Sequence, residues 1–186
     1  MSEKIIKLAT PISEENIKAL RAGDKVFLSG KVFTARDAAH KRLIALIKKH
    51  KKLPMDIEGQ IIFYAGPTPA KPGEEIGAVG PTTAGRMDEL TIPLLRLGLR
   101  GMIGKGQRSS EVKKGLAKYK AVYFVATGGT AALLKQKIKK AKIIAYSDLG
   151  AEAIRELEVE DFPVIVANDT LGQDLFEKGQ KLYRKS

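Results

Sequence analysis

From residue 59 to residue 169 the chain alternates short apolar runs with segments whose apolar residues recur at helical spacing, a rhythm that few architectures accommodate. GQIIFYAG (59–66), GMIGKG (101–106), AVYFVATGG (121–129), AKIIAYSDLG (141–150) and FPVIVAND (162–169) read as strands. Between them AGRMDELTIPLLRLGLR (84–100), SSEVKKGLAKYK (109–120), TAALLKQKIKK (130–140) and AEAIRELEVED (151–161) read as helical. In the first of these Gly98 lies near the end and Pro93 must bend or interrupt the helix. Such alternation predicts an α/β domain. The start adds further strand material, KIIKLATPI and KVFLSGKVFTA, with Gly30 suited to a bend, and this predicts an added β layer. ARDAAHKRLIALIKKH follows as a helix through Ala39, Leu43, Leu46 and Ile47, while PTPAKPGEE (67–75) reads as a loop. With 186 residues, 44% of them hydrophobic, one domain spanning 1–186 around one buried core is the expectation.

Several chemistries are excluded by what the chain lacks. It has no cysteine, hence no disulfide, thiolate zinc site or cysteine nucleophile, and no thiolates for an iron–sulfur cluster. Its only histidines are His40 and His50, which argues against a histidine metal site, so no metal ligand is assigned. The N-terminal stretch has no long apolar run, so neither a signal peptide nor a membrane span is expected, and the cytoplasm is the expected location. A net charge of +12 favours anionic partners. The lysine clusters IKKHKKL and LKQKIKKAK read as a solvated basic face, because aromatic residues are only 6% of the chain and offer no stacking platform. A basic nucleic-acid-binding module is kept as the alternative from another class.

One stretch asks for more than packing. AVGPTTAGRMDEL (78–90) sets two glycines, two adjacent threonines and an arginine at the mouth of a helix. Thr82 or Thr83 as an N-cap is the plain reading. It leaves Gly80, Gly85 and an Arg86 expected on the buried side without a role. Free N–H groups, the positive helix end and a guanidinium together describe a site for a carboxylate or phosphate. Lys105, between two glycines just past a strand, is placed to reach a ligand, although GKGQRSS lacks the spacing of a P-loop. Arg36 and Asp37, where a strand hands over to a helix, read on their own as an exposed ion pair with Asp37 favoured by the macrodipole. His40 reads as a helix-surface or satisfied histidine, and Gly128 to Thr130 as a tight strand-to-helix turn.

The motifs FTARDAAHKRL, AVGPTTAGRMD, MIGKG and DLGAEAI resemble, in the same order and over nearly the full length, the β subunit of the two-subunit class I (iron–sulfur) fumarate hydratases and the related L-tartrate dehydratase β subunit. That resemblance implies a swivelling three-layer β/β/α domain that completes an active site shared with a larger α subunit, in a hetero-oligomer that needs neither membrane nor nucleic acid. It also implies that the partner's cysteines hold a four-iron four-sulfur (4Fe-4S) cluster and that this chain binds none. Carried over motif by motif, Arg36, Arg86 and Lys105 hold the carboxylates of a dicarboxylate substrate, with Thr83 and Gly85 in the same binding loop. Thr82 takes part in proton transfer, with the choice between Thr82 and Thr83 open, and Asp37 orients Arg36 or joins the relay. The implied reaction is reversible hydration of fumarate to (S)-malate, with dehydration of L-tartrate as the alternative.

Overall fold

A computed structural model of the chain describes residues 5–126 and 131–183. Its strands are β1 (Ile5–Ala9), β2 (Lys25–Thr34), β3 (Ile61–Phe63), β4 (Gly101–Gly104), β5 (Val122–Val125), β6 (Ile138–Ala145) and β7 (Ile154–Asn168). Its helices are α1 (Glu14–Ala19), α2 (Asp37–Lys48), α3 (Asp88–Arg96), α4 (Ser110–Tyr119), α5 (Ala131–Gln136) and α6 (Leu175–Tyr183). Among the described residues the strands form one seven-stranded mixed sheet in the order β1-β2-β3-β4-β5-β7-β6, so the architecture is mixed α/β, as the alternation predicts.

Each neighbouring pair from β1 to β5 is parallel. Parallel neighbours cannot be joined by a tight turn, and α1, α2, α3 and α4 lie in the successive crossovers. β7 runs antiparallel to β5, β6 and β2. Because it pairs with both β2 and β5, the ladder β2-β3-β4-β5-β7 closes on itself, which removes the unpaired edges an open sheet would leave there. Side chains then sort by the period of two. Ile61 and Phe63 join Leu28, Val32, Ile103, Phe124, Leu157 and Phe162 in one buried cluster. Ile62 and Tyr64 join Met102 and Tyr123 in a second, which packs on Leu43 of α2, Leu94 of α3 and Leu116 of α4.

The expected bend at Gly30 is present: φ is +110°, the β2–β7 register shifts between Leu28 and Gly30, and an added Cβ would lie 2.6 Å from Thr10 Oγ1. Other expectations need correction. Residues 154–161 are strand, not helix, with a period of two in Glu156, Glu158 and Glu160. These face Lys31, Lys140 and Lys139 at 3.2, 3.1 and 3.0 Å across β2 and β6. The helix expected over 130–140 ends at Gln136, and β6 begins at Ile138. The strand expected to run to residue 150 stops at Ala145, and a 3₁₀ turn covers Ser147–Glu152. The helix expected over 84–100 opens as a 3₁₀ turn at Ala84–Met87 and ends by Gly98, whose φ is +94°. Pro93 sits inside α3 without breaking it, since its buried neighbours Leu94 and Leu95 anchor the turn that a missing N–H weakens. The turn read at Gly128 to Thr130 lies outside the described residues. No helix among the described residues is long and apolar enough to cross a membrane.

Candidate active site

Three parallel strands end side by side, and the residues singled out in the sequence follow directly after them. β2 delivers Arg36 and Asp37, β3 delivers Tyr64 to Gly66, and β4 delivers Lys105. Ligands of α/β sheets bind outside the carboxyl ends of such strands. The turn carrying Thr82, Thr83, Gly85 and Arg86 is stitched onto this edge. Thr82 donates to the Tyr64 carbonyl from both its N–H and its hydroxyl, each at 2.8 Å. Lys105 N–H donates to the Thr82 carbonyl at 3.1 Å, and Ala84 N–H donates to the Lys105 carbonyl at 2.9 Å, so Thr83 pairs with Lys105 as a short parallel bridge. Close approach here depends on Gly104, because an added Cβ would lie 3.0 Å from Ala84 Cβ and 3.3 Å from the Thr82 carbonyl.

The charged groups converge on Asp37. Its Oδ2 lies 3.4 Å from Arg86 Nη2 and 3.9 Å from Arg36 Nε. Arg36 Nη2 lies 3.6 Å from Glu152 Oε1, while Glu152 Oε2 accepts from Ala38 N–H at 2.8 Å. Thus Glu152 satisfies one of the free donors of the α2 N-terminus and steadies Arg36 together. These ion pairs are longer than charge-assisted hydrogen bonds, and Arg36 Nε is buried with no hydrogen-bond partner. The accessible donors are those of Arg86, half exposed and paired only loosely with Asp37, whereas the Arg36 Nε is shut away from solvent. The Arg36 side chain lies against Gly66, where an added Cβ would meet Nη1 at 3.0 Å.

The structure corrects the local reading of this region. Neither threonine caps α3: Thr83 precedes the 3₁₀ turn and makes no side-chain cap bond, and the Thr82 hydroxyl points back to β3. Arg86 is not on the buried side; its side chain is 49% exposed, and Lys105 is exposed as well. Gly80 has a packing reason that the sequence hid, since an added Cβ would lie 3.2 Å from Ala131 Cβ of α5. Gly85 is exposed and its φ is not positive, so no backbone strain demands it. His40 is fully buried rather than on the helix surface. Its Nδ1 lies 2.9 Å from the Arg36 carbonyl and must donate to it, which leaves Nε2 bare and without a partner. Burial pushes its pKa down from 6.5 to about 4, so the ring is neutral and braces Arg36 from behind, edge-on to Tyr64.

A family model described as "Fumarase C-terminus" matches residues 1–179. The chain belongs to the fumarase C-terminus family. A Methanocaldococcus jannaschii protein provisionally named L(+)-tartrate dehydratase subunit beta is 38% identical over 181 residues, covering 94% of this chain and 93% of that protein. The L(+)-tartrate dehydratase subunit beta of Escherichia coli is 34% identical over 181 residues, covering 95% and 89%. The anaerobic class I fumarate hydratase of Escherichia coli is 41% identical over 157 residues, which cover 83% of this chain but only 28% of that longer protein. The hydro-lyase character of the family is common to all three names.

Two residues of this fumarase C-terminus chain join the site without having been read from sequence. Glu152 sits in the DLGAEAI motif, where the motif was the only signal, because its contact with Ala38 spans 114 positions. Arg108 is fully buried behind the turn. A cleft of about 670 Å³ lies to one side, between the Pro67–Gly77 loop and Gly150, Ala151 and Arg155. It contains none of the sequence-derived site residues, which stand on an open face instead. Among the described residues no group of three or more His, Asp or Glu is placed to hold a metal ion.

Proposed function

We propose that this chain, acting as one domain over 1–186 of the swivelling three-layer β/β/α kind, is the β subunit of a class I hydro-lyase that reversibly hydrates fumarate to (S)-malate. The observation that carries the reading is the convergence of Arg36, Asp37 and Arg86 beside Thr82, Thr83 and Lys105 at the carboxyl ends of β2, β3 and β4. Arg36, Arg86 and Lys105 bind the two carboxylates of the substrate; Thr83 and Gly85 line the same turn. Removing a proton beside a carboxylate builds negative charge on it, so fixed cations stabilise the transition state more than the ground state. For Thr82 to take part in proton transfer its hydroxyl turns away from the Tyr64 carbonyl and gives its own proton to an acidic group of the partner as it receives one from the substrate. Asp37 holds both guanidinium groups in register.

With no cysteine, this chain does not fit an iron–sulfur cluster, and the 4Fe-4S group is assigned to a cysteine-bearing α subunit. The open face of the site supports a partner that completes it. Dehydration of L-tartrate is the second reading, supported by coverage: the tartrate dehydratase subunits named above are matched over 93% and 89% of their length. Fumarate and tartrate share one skeleton and differ in hydroxyls, a difference that a few pocket contacts decide. Specificity constants for (S)-malate and L-tartrate, measured on the pair assembled without oxygen, test both readings. Preference for malate supports the first and preference for tartrate the second; conversion of neither overturns both.

A further inference from the structure

We infer that Arg108 is a positioning residue for this site: its buried guanidinium sets the turn bearing Thr82 and Arg86 against the loop bearing Lys105. The inference rests on the dicarboxylate reading above and concerns a residue that touches no substrate. Arg108 Nε donates to Asp88 Oδ1 at 2.6 Å, and the other oxygen of Asp88 accepts from Ser109 N–H at 2.7 Å. Its Nη2 donates to the Thr91 hydroxyl at 2.7 Å, which in turn donates to the Met87 carbonyl at 2.7 Å. Its Nη1 reaches the Tyr64 hydroxyl at 3.4 Å, and the guanidinium lies 5.5 and 5.1 Å from the Tyr64 and Tyr123 ring centroids.

One side chain therefore ties together four segments. Met87 and Asp88 follow Arg86 immediately. Ser109 closes the loop that begins at Lys105, and Tyr123 donates to the Gly106 carbonyl in that same loop at 3.0 Å. Tyr64 carries the carbonyl that holds Thr82. A buried ion pair adds little stability over an apolar packing of the same volume, so stability alone gives no reason for a charge here. What the fork provides is geometry: donors fixed in one plane lock two loops at one separation, which an ammonium cannot reproduce. The front of the same junction is closed by the Thr83–Lys105 bridge, so the two cations Arg86 and Lys105 inherit their spacing from this clasp.

The test uses Arg108→Lys in two settings. In the assembled pair, kcat/KM for the preferred substrate is expected to fall on the order of tenfold to a hundredfold, as misplaced binding groups do. Lys105→Ala, damaging in the parent, is expected to add little further loss in the Arg108→Lys background, since both act on the same contact. In the isolated chain, amide hydrogen exchange at Ala84 and Lys105 is expected to quicken by about tenfold while β2 and β7 amides stay protected. Should Arg108→Lys fail to fold, Asp88→Asn, which keeps the shape and removes the anion, gives the same readings. A kcat/KM within twofold of the parent, additive losses, or unchanged exchange at Ala84 and Lys105 each overturn the inference. Absence of turnover in the parent pair refutes the dicarboxylate reading instead, and exchange then decides the positioning role alone.

Discussion

A lysine at position 86 would keep the charge and lose the fork. Arg86 is half exposed and bonded only loosely to Asp37, so Arg86→Lys should leave the melting temperature unchanged. If its guanidinium grips a carboxylate, kcat/KM in the assembled pair should fall by roughly tenfold to a hundredfold, the equivalent of about 1.5–3 kcal/mol. Thr82→Ala removes one bond to the Tyr64 carbonyl, worth about 1 kcal/mol in stability. Its larger effect is expected in kcat, whereas Thr83→Ala should act chiefly on KM; steady-state kinetics beside thermal melts separate the two. His40 gives a prediction in pH. Its pKa is 6.5 when unfolded and about 4 when folded, so below pH 6.5 the unfolded chain takes up a proton that the folded chain refuses. Stability should therefore fall as pH drops from 6.5 toward 4, by about 3 kcal/mol in full, and level off below. Urea unfolding across that range should show the slope, and His40→Gln should flatten it. At this scale the motif residues Arg36, Thr82, Arg86 and Lys105 were legible because they lie in short, unusual stretches. Arg108 and Glu152 were not, since a buried guanidinium or a capping carboxylate is recognisable only through partners far away in sequence.

The elements show where periodicity misleads. Ile154 and Leu157 are spaced as on a helix, yet they belong to β7, whose alternating glutamates match lysines on β2 and β6. Pairing across strands is non-local and outweighs the local propensity of a Glu-rich stretch. The strand–helix alternation from β3 to β5 was legible because each strand is a short apolar run followed by a helical segment, whereas β2, read as part of an added layer, pairs parallel to β3 in the same sheet. Short joins between strand and helix are also what aim the site. Gly66, in the longer connection that follows β3, leaves room for Arg36, and an added Cβ would sit 3.0 Å from Arg36 Nη1 and 3.2 Å from the Ala151 carbonyl. Its φ is not positive, so Gly66→Ala strains no backbone. That substitution should displace Arg36 and raise KM several-fold, with a shift in melting temperature of only a few degrees. A large loss of stability at unchanged KM would instead make Gly66 a packing residue.

On the scale of the whole molecule, a closed ladder of five strands gathers the candidate site residues at the carboxyl ends of β2, β3 and β4. Arg86 and Lys105 are exposed there, and Arg36 is partly buried behind them. If the groups that complete the site belong to another chain, as the proposed assembly requires, no pattern in this sequence can show them. The most direct measurement is turnover of (S)-malate and fumarate as this chain is titrated, without oxygen, into its cysteine-bearing partner. No turnover is expected from either chain alone, and activity is expected to rise to a plateau at a fixed subunit ratio. Turnover by this chain alone, or none from a pair that has assembled with its cluster intact, would contradict the proposed assembly.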